Sequence, residues 1–188
     1  MKKSKLYAGL LAPLVAFTGI WVAAHINRSW WTLTNNAISD LGKLGLPYNW
    51  ILNVSLITAA MLGIYYATGL LEHAKNLAER TGIGIFIAAL GFLCLIGLFP
   101  EGTSPHYYVS WAFFLLSAFG IAVTGIGFLI AGKKKLGGFT LMLLTIGVPL
   151  AFWAKGHFQG VAVAEFIGAI TIAIWHYGVL FSVARNVQ

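Results

Sequence analysis

The sequence predicts an all-α, polytopic membrane protein built as a six-transmembrane-helix bundle. Of its 188 residues, 59% are hydrophobic and only 9% are charged. The mean hydropathy of +0.84 lies far above the range of soluble domains. Six apolar runs, each about long enough to cross a hydrocarbon core of ~30 Å, are separated by short polar connections. The chain is too short for two membrane domains, so residues 1–188 are predicted to form a single one.

The first apolar run covers about residues 6–25 and follows the basic N-terminal sequence MKKSK. It could be mistaken for the apolar part of a signal peptide. It is as long as a full membrane span, however, and no small-x-small cleavage site follows it convincingly. We therefore expect a retained first helix, with Pro13 inside it.

The other five runs cover about residues 49–71, 82–99, 106–131, 137–154 and 161–183. Prolines mark several of their boundaries. Pro47 can begin the second span, Pro100 ends the third, and Ser104 followed by Pro105 predicts a capped N-terminus for the fourth. Pro149 lies inside the fifth span and should bend it.

Small residues in the third span predict close helix packing. Its glycines are at positions 82, 84, 91 and 97. A face of small residues lets helices approach each other where no hydrophobic force drives their association. The single cysteine, Cys94, lies in the same run and excludes an intrachain disulfide or a Cys-based metal site.

The distribution of Lys and Arg predicts the orientation. Nine of them fall on the side of the two termini: Lys2, Lys3, Lys5, Lys75, Arg80, Lys133, Lys134, Lys135 and Arg185. The other side carries three: Arg28, Lys43 and Lys155. The positive-inside rule therefore places both termini in the cytoplasm of a multi-pass cell-membrane protein. The net charge of +7 is explained by these span ends, so we expect no nucleic-acid partner.

The connection between the first two spans contains an unusual segment, WWTLTNNAISDLG at 30–42. Its paired tryptophans and clustered polar residues are unlike a disordered linker, so we expect it to fold back over the bundle with Asp40 turned inward. Asp40 is the only aspartate in the chain. In the alternative interpretation, Ser39 or Asp40 caps a short interfacial helix that Gly42 ends in a left-handed conformation.

Polar side chains from every outer connection are predicted to meet at one surface of the bundle. His106 and Ser110 are four residues apart and would share one helical face. With a nearby carboxylate they contain the parts for nucleophile activation or for a metal-bound water. They equally contain the parts for a structural hydrogen-bond network. Glu165 lies about one turn inside the sixth span and needs a partner, a proton or a wet cavity. Its candidate partners are Lys155, His157, Arg28 and His106.

The candidate site residues follow from this arrangement. The catalytic candidates are Asp40, Glu101, His106, Ser110 and Glu165. The candidates for substrate binding are Asn36, Ser39, Trp111 and His157. The candidates for holding a divalent metal such as zinc are Asp40, His106 and Glu165. Two other groups receive structural interpretations. His176 is expected to be a satisfied helix–helix histidine, and Glu72, Glu79, Lys75 and Arg80 a solvated face.

The motifs N-A-I-S-D-L-G at 36–42 and L-F-P-E-G-T-S-P-H-Y-Y-V-S at 98–110 resemble those of an uncharacterised family of small six-span membrane proteins. It is catalogued as domain of unknown function 998 and is found largely in archaea and bacteria. The resemblance covers essentially the whole chain. It implies a shared polar site at Ser39, Asp40, Gly42, Phe99, Pro100, Glu101, His106, Ser110 and Glu165. It implies no substrate, because the family has no assigned activity.

Two functions from different classes remain open. One is a membrane-embedded hydrolase or lipid-modifying enzyme that acts on a lipid or another amphipathic substrate at the outer membrane face. The other is a non-catalytic membrane module, such as a lipid binder, an assembly factor or a small transporter component, whose polar residues hold helices together. Proton-coupled transport through Glu165 and His176 ranks last, because the inverted repeats expected of a transporter are not evident. The sequence does not indicate an oligomeric state.

Overall fold

The computed structural model describes residues 1–185 and consists of six long helices. They are α1 (Lys3–Ile26), α2 (Trp50–Glu72), α3 (Leu77–Leu98), α4 (His106–Ile130), α5 (Lys134–His157) and α6 (Ala162–Ala184). Each is long and apolar enough to cross a membrane. A short 3-10 helix (Ser39–Gly42) lies between α1 and α2, and the described part of the chain contains no strand. The predicted six-span, all-α class is therefore confirmed, and six such helices imply a lipid environment.

Each helix packs mainly against its neighbours in sequence, and α1 also contacts α6. The connections 27–49, 99–105 and 158–161 lie together at one end, called here the loop end. The opposite end is the one where α1 begins and α6 ends. One apolar cluster forms around Leu41, Leu52 and Ala89, and a second forms around Phe86 and Trp175. Because Leu41 belongs to the 30–42 segment, that segment is part of the core.

The third helix begins five residues earlier than predicted because it is capped. The Asn76 side chain accepts a hydrogen bond from the Glu79 backbone N–H at 2.8 Å, which satisfies one of the free donors of the first turn. At the fourth helix the predicted cap is not formed. Pro105 occupies the N-cap position there, and it forms no side-chain capping bond.

Two of the four glycines in α3 allow close packing. A methyl group at Gly82 would lie 2.7 Å from the Gly120 carbonyl of α4, and one at Gly97 would lie 2.7 Å from Ile57 of α2. Gly84 and Gly91 face open space instead. The predicted small-residue face is thus right for Gly82 and Gly97 and wrong for the other two.

His176 satisfies a carbonyl that a proline leaves free. Pro13 has no N–H, so the carbonyl of Gly9, four residues earlier, lacks its helical donor. The Nε2 of His176 lies 2.7 Å from this oxygen and donates to it, which joins α6 to α1. The geometry matches the expected role of a helix–helix histidine.

Glu79 corrects the prediction of a solvated face. Its side chain is only 2% exposed and lies 3.0 Å from the Lys133 ammonium. It also accepts a hydrogen bond from the Lys75 backbone N–H at 2.9 Å. The cost of burying a carboxylate is therefore offset by an ion pair and a backbone donor, which tie α3 to the α4–α5 connection.

Candidate functional site

The 30–42 segment lies across the loop end and is attached to the start of α6. The Gly160 N–H donates to the Thr34 carbonyl at 2.8 Å, and the Ala162 N–H donates to the Asn36 carbonyl at 2.8 Å. Gly160 touches the backbone of Asn36 so closely that a Cβ atom would not fit. Together these contacts hold the 30–42 segment, called here the strap, over the loop end of the bundle.

Asp40 stabilises this strap from within. Its Oδ2 accepts the Ala37 backbone N–H at 2.8 Å, a bond from a carboxylate back to the third residue before it, as in the acidic half of a capping box. Asp40 does not line the cavities described below. Asp40 therefore has a local structural role, but it lies within the short helix, whose N-cap is Ile38 and has no side-chain cap.

Gly42 does not end the short helix in a left-handed conformation, so that part of the prediction is wrong. The reason for a glycine is steric. The side chain of Asn53, on α2, touches the place where a Cβ would lie. Its Nδ2 donates to the Gly42 carbonyl at 2.9 Å, which anchors the strap to α2.

Glu165 finds its partner in the strap backbone. Its Oε2 accepts the Ile38 N–H at 2.6 Å. This result corrects the expected pairing with Lys155, His157, Arg28 or His106, since the described residues place no cation within ion-pair distance of Glu165. A backbone donor has no signature in the sequence, so the partner could not be predicted.

Glutamine and alanine at position 165 should therefore behave differently. Glu165→Gln keeps a carbonyl oxygen for the Ile38 N–H and should retain most of the stability. Glu165→Ala leaves that donor without its partner and should lower the free energy of unfolding by about 1–3 kcal/mol. Thermal unfolding of both variants in detergent measures the difference. Equal losses in the two variants would show that the negative charge matters rather than the hydrogen bond.

His106 is buried at the start of α4 and holds three groups together. Its Nδ1 lies 2.8 Å from the Phe99 carbonyl. Its Nε2 lies 3.3 Å from the Ser110 Oγ and 3.2 Å from the Glu101 Oε2. Because a carbonyl only accepts, Nδ1 must carry a proton. The neutral ring then offers the lone pair of Nε2 to the Ser110 hydroxyl, and the protonated ring can pair with Glu101.

Glu101, His106 and Ser110 border a cavity of about 510 Å³ between α4, α5 and α6. Its polar end is formed by Ser39, Glu101, His106, Ser110, Lys155 and Glu165. Its other end is apolar and reaches Ile121 and Leu144. Leu115 and Phe152 line the cavity and are 55% and 56% exposed, so it opens sideways between α4 and α5. This site has the size and the mixed lining typical of a small-molecule pocket.

A second, smaller cavity of about 130 Å³ lies behind the first. Ser39, Ser110 and Glu165 line both cavities, so they form a shared wall. The smaller cavity is lined mostly by apolar side chains and extends to His176. Ser110 therefore faces the polar end of the larger cavity on one side and the apolar smaller cavity on the other.

The remaining predicted site residues divide into two groups. Trp111 and Ser39 line the larger cavity. Asn36 and His157 line neither cavity. The Asn36 side chain accepts the Thr32 N–H at 2.9 Å, and His157 stacks on Trp153 with a centroid distance of 4.7 Å. Both are occupied with local contacts.

The predicted metal ligands Asp40, His106 and Glu165 do not assemble into a metal site. Across residues 1–185, no three His, Cys, Asp or Glu side chains form a group that could hold a metal ion. The physical reason is that two of these residues already bond to other groups. The Asp40 and Glu165 carboxylates each accept a backbone N–H of the strap.

Sequence reasoning missed the contribution of Lys155 to the site. Its ammonium lies 4.4 Å from the centroid of the Trp111 ring, a cation–π contact at the cavity wall. A lone lysine close to the end of an apolar span was the available signal, but it was interpreted as a partner for Glu165. The Phe99 carbonyl, which orients His106, is a backbone group and had no signal.

Comparison with known proteins gives one match. A family model described as "Protein of unknown function (DUF998)" matches residues 10–182, nearly the whole chain. No curated protein and no solved structure matches this chain significantly.

Proposed function

This chain belongs to the DUF998 family, whose function is unknown, and we propose from its own geometry that it is a membrane-embedded serine hydrolase for lipid acyl esters. Ser110 is the nucleophile, His106 the general base and acid, and Glu101 the group that balances the charge on the imidazole. The single observation that carries the proposal is the pair of bonds on His106. One fixes its tautomer at the Phe99 carbonyl, and the other joins its Nε2, which also lies 3.2 Å from Glu101, to the Ser110 hydroxyl.

The first step is attack by Ser110 on the carbonyl carbon of the ester. The hydroxyl proton moves to Nε2 of His106 as the new C–O bond forms. The imidazolium then lies 3.2 Å from the Glu101 carboxylate, which stabilises it. When the tetrahedral intermediate collapses, the bond to the alcohol breaks, and His106 returns the proton to the departing oxygen.

The acyl-enzyme is hydrolysed by the same groups in reverse order. His106 takes a proton from a water molecule that attacks the acyl carbon, and Ser110 recovers its proton when the acyl–serine bond breaks. The products are a carboxylic acid and an alcohol. The sideways opening of the cavity between α4 and α5 supports a substrate that enters from the bilayer.

A non-catalytic lipid-binding module is the second candidate. It is favoured because Asp40 and Glu165 both accept backbone N–H groups of the strap and so have structural roles. In this case the His106–Ser110 pair would also be a structural network. The two candidates share the cavity and differ in whether Ser110 reacts.

Release of fatty acid separates the two candidates. The purified protein, reconstituted in nanodiscs, should liberate fatty acid from ester phospholipids at a rate proportional to the amount of protein. A rate no higher than that of empty nanodiscs, measured across lipids with different head groups, would favour the binding module.

We also propose that the loop end faces the outside of the cell, as the distribution of Lys and Arg indicates. Lys134 is exposed at the start of α5, and Gln159 is exposed two residues after its end. In a Cys94→Ala background, an impermeant maleimide added to whole cells should label Gln159→Cys and leave Lys134→Cys unlabelled until lysis. Labelling of the second variant alone would reverse the orientation.

A further inference from the structure

Lys155 is a cation at the cavity mouth that no carboxylate neutralises. The ion pairs of the described chain join Lys5 to Glu72, His106 to Glu101 and Lys133 to Glu79, and none includes Lys155. Its contact with the Trp111 ring holds it beside the cavity. Lys155 therefore offers a positive charge to a molecule that enters the cavity.

The cavity has the depth of one membrane leaflet. Its lining on α5 runs from Lys155 to Leu144. Eleven residues of helix correspond to about 16 Å at ~1.5 Å per residue. Half of a hydrocarbon core of ~30 Å is ~15 Å. An acyl chain can thus lie along the apolar part with its head group at the level of Lys155.

The charges at the mouth favour an anionic head group over a zwitterionic one. A quaternary ammonium group binds best to an open aromatic face, but the Lys155 ammonium already occupies the face of Trp111. Two carboxylates line the cavity. Glu101 is paired with His106 at 3.2 Å, and Glu165 accepts the Ile38 N–H at 2.6 Å. The face of Trp111 and both carboxylates are therefore already engaged, while Lys155, the one lysine or arginine of the described cavity lining, has no carboxylate partner.

We propose that this cavity binds an anionic phospholipid, whose phosphodiester is held by Lys155 while one acyl chain lies between α4, α5 and α6. The proposal rests on the proposed function for treating the cavity as the substrate site, but binding itself requires no hydrolysis. It places the ester bonds of the lipid, which lie between head group and chains, next to Ser110.

Photolabelling with ether lipids tests the binding directly. The probes are phosphatidylglycerol and phosphatidylcholine that carry the same ether-linked diazirine chain, each at trace level in phosphatidylcholine nanodiscs. Labelled sites are mapped by peptide mass spectrometry. The wild-type cavity wall, at Leu115 or Phe152, should be labelled about fivefold more by the anionic probe, the preference expected for one lysine.

Variants identify the residue responsible. Lys155→Ala should reduce the preference to about one, and Lys155→Arg should keep it, because the charge remains. Lys43→Ala is the matched control, since Lys43 is an exposed lysine of the same end that does not line the cavity. It should leave the preference unchanged. Ala118→Trp, which fills the cavity, should abolish cavity labelling by both probes.

Equal labelling by the two probes, stronger labelling by the choline lipid, or a preference that survives Lys155→Ala would each overturn the proposal. The outcome is separate from that of the hydrolase, because ether-linked chains cannot be hydrolysed. An inactive protein can show the preference, and an active hydrolase can lack it.

Discussion

Replacing Ser110 with alanine should lower fatty-acid release by roughly a thousandfold or more, and His106→Ala should have an effect of similar size. Loss of a nucleophile or of its base removes the covalent route, and general acid–base assistance alone contributes about 10²–10⁴-fold. Glu101→Gln should cost less, about 10–100-fold, because it removes only the group that balances the imidazolium charge. Fatty-acid release in nanodiscs measures all three effects.

The matched control for this series is Ser117→Ala, on the same helix. Ser117 is fully buried, its hydroxyl has no hydrogen-bond partner among the described residues, and it does not line the larger cavity. Its removal should leave both activity and melting temperature nearly unchanged. If Ser110→Ala instead keeps its activity but unfolds at a lower temperature, Ser110 is part of a structural network.

The largest effect on stability is expected for Gly82→Leu. The closest neighbours of an added side chain would be backbone and hydroxyl atoms of Thr124 and the carbonyl of Gly120, and backbone atoms cannot turn away. Overpacking of this kind costs about 1–3 kcal/mol or more. Since α4 carries His106 and Ser110, its displacement from α3 should also reduce activity.

Gly84→Leu provides the comparison in the same helix. Gly84 is exposed, and a Cβ there would meet nothing within 4 Å. The two variants make the same substitution with the same change in helix propensity, so the difference in their melting temperatures in detergent reports packing alone. Similar melting temperatures for the two variants would mean that α3 and α4 do not pack through Gly82.

Features that depend on residues close together in the chain could be predicted from the sequence. Span length and hydropathy define the six helices, and the four-residue spacing of His106 and Ser110 places them on one face. A carboxylate inside a span pointed to Glu165 as a residue that needs a partner. Each of these inferences uses only residues close together in the chain.

The sequence was uninformative where the partner is a backbone group from a distant segment. Glu165 bonds to the Ile38 N–H, and His176 bonds to the Gly9 carbonyl, across 127 and 167 residues respectively. Every residue carries such groups, so none stands out in a sequence. Glu79 was misjudged for a related reason, since its burial depends on Lys133 from another connection.

The most direct test of the proposed chemistry is the reaction of Ser110 with a fluorophosphonate carrying an alkyl chain. Such reagents modify serines that a neighbouring base activates. Peptide mass spectrometry of the folded protein should find the phosphonyl adduct on Ser110. The adduct should disappear in His106→Ala, while Ser117 stays unmodified in both proteins. A folded wild-type protein that carries no adduct on Ser110 would contradict the assignment of a serine hydrolase.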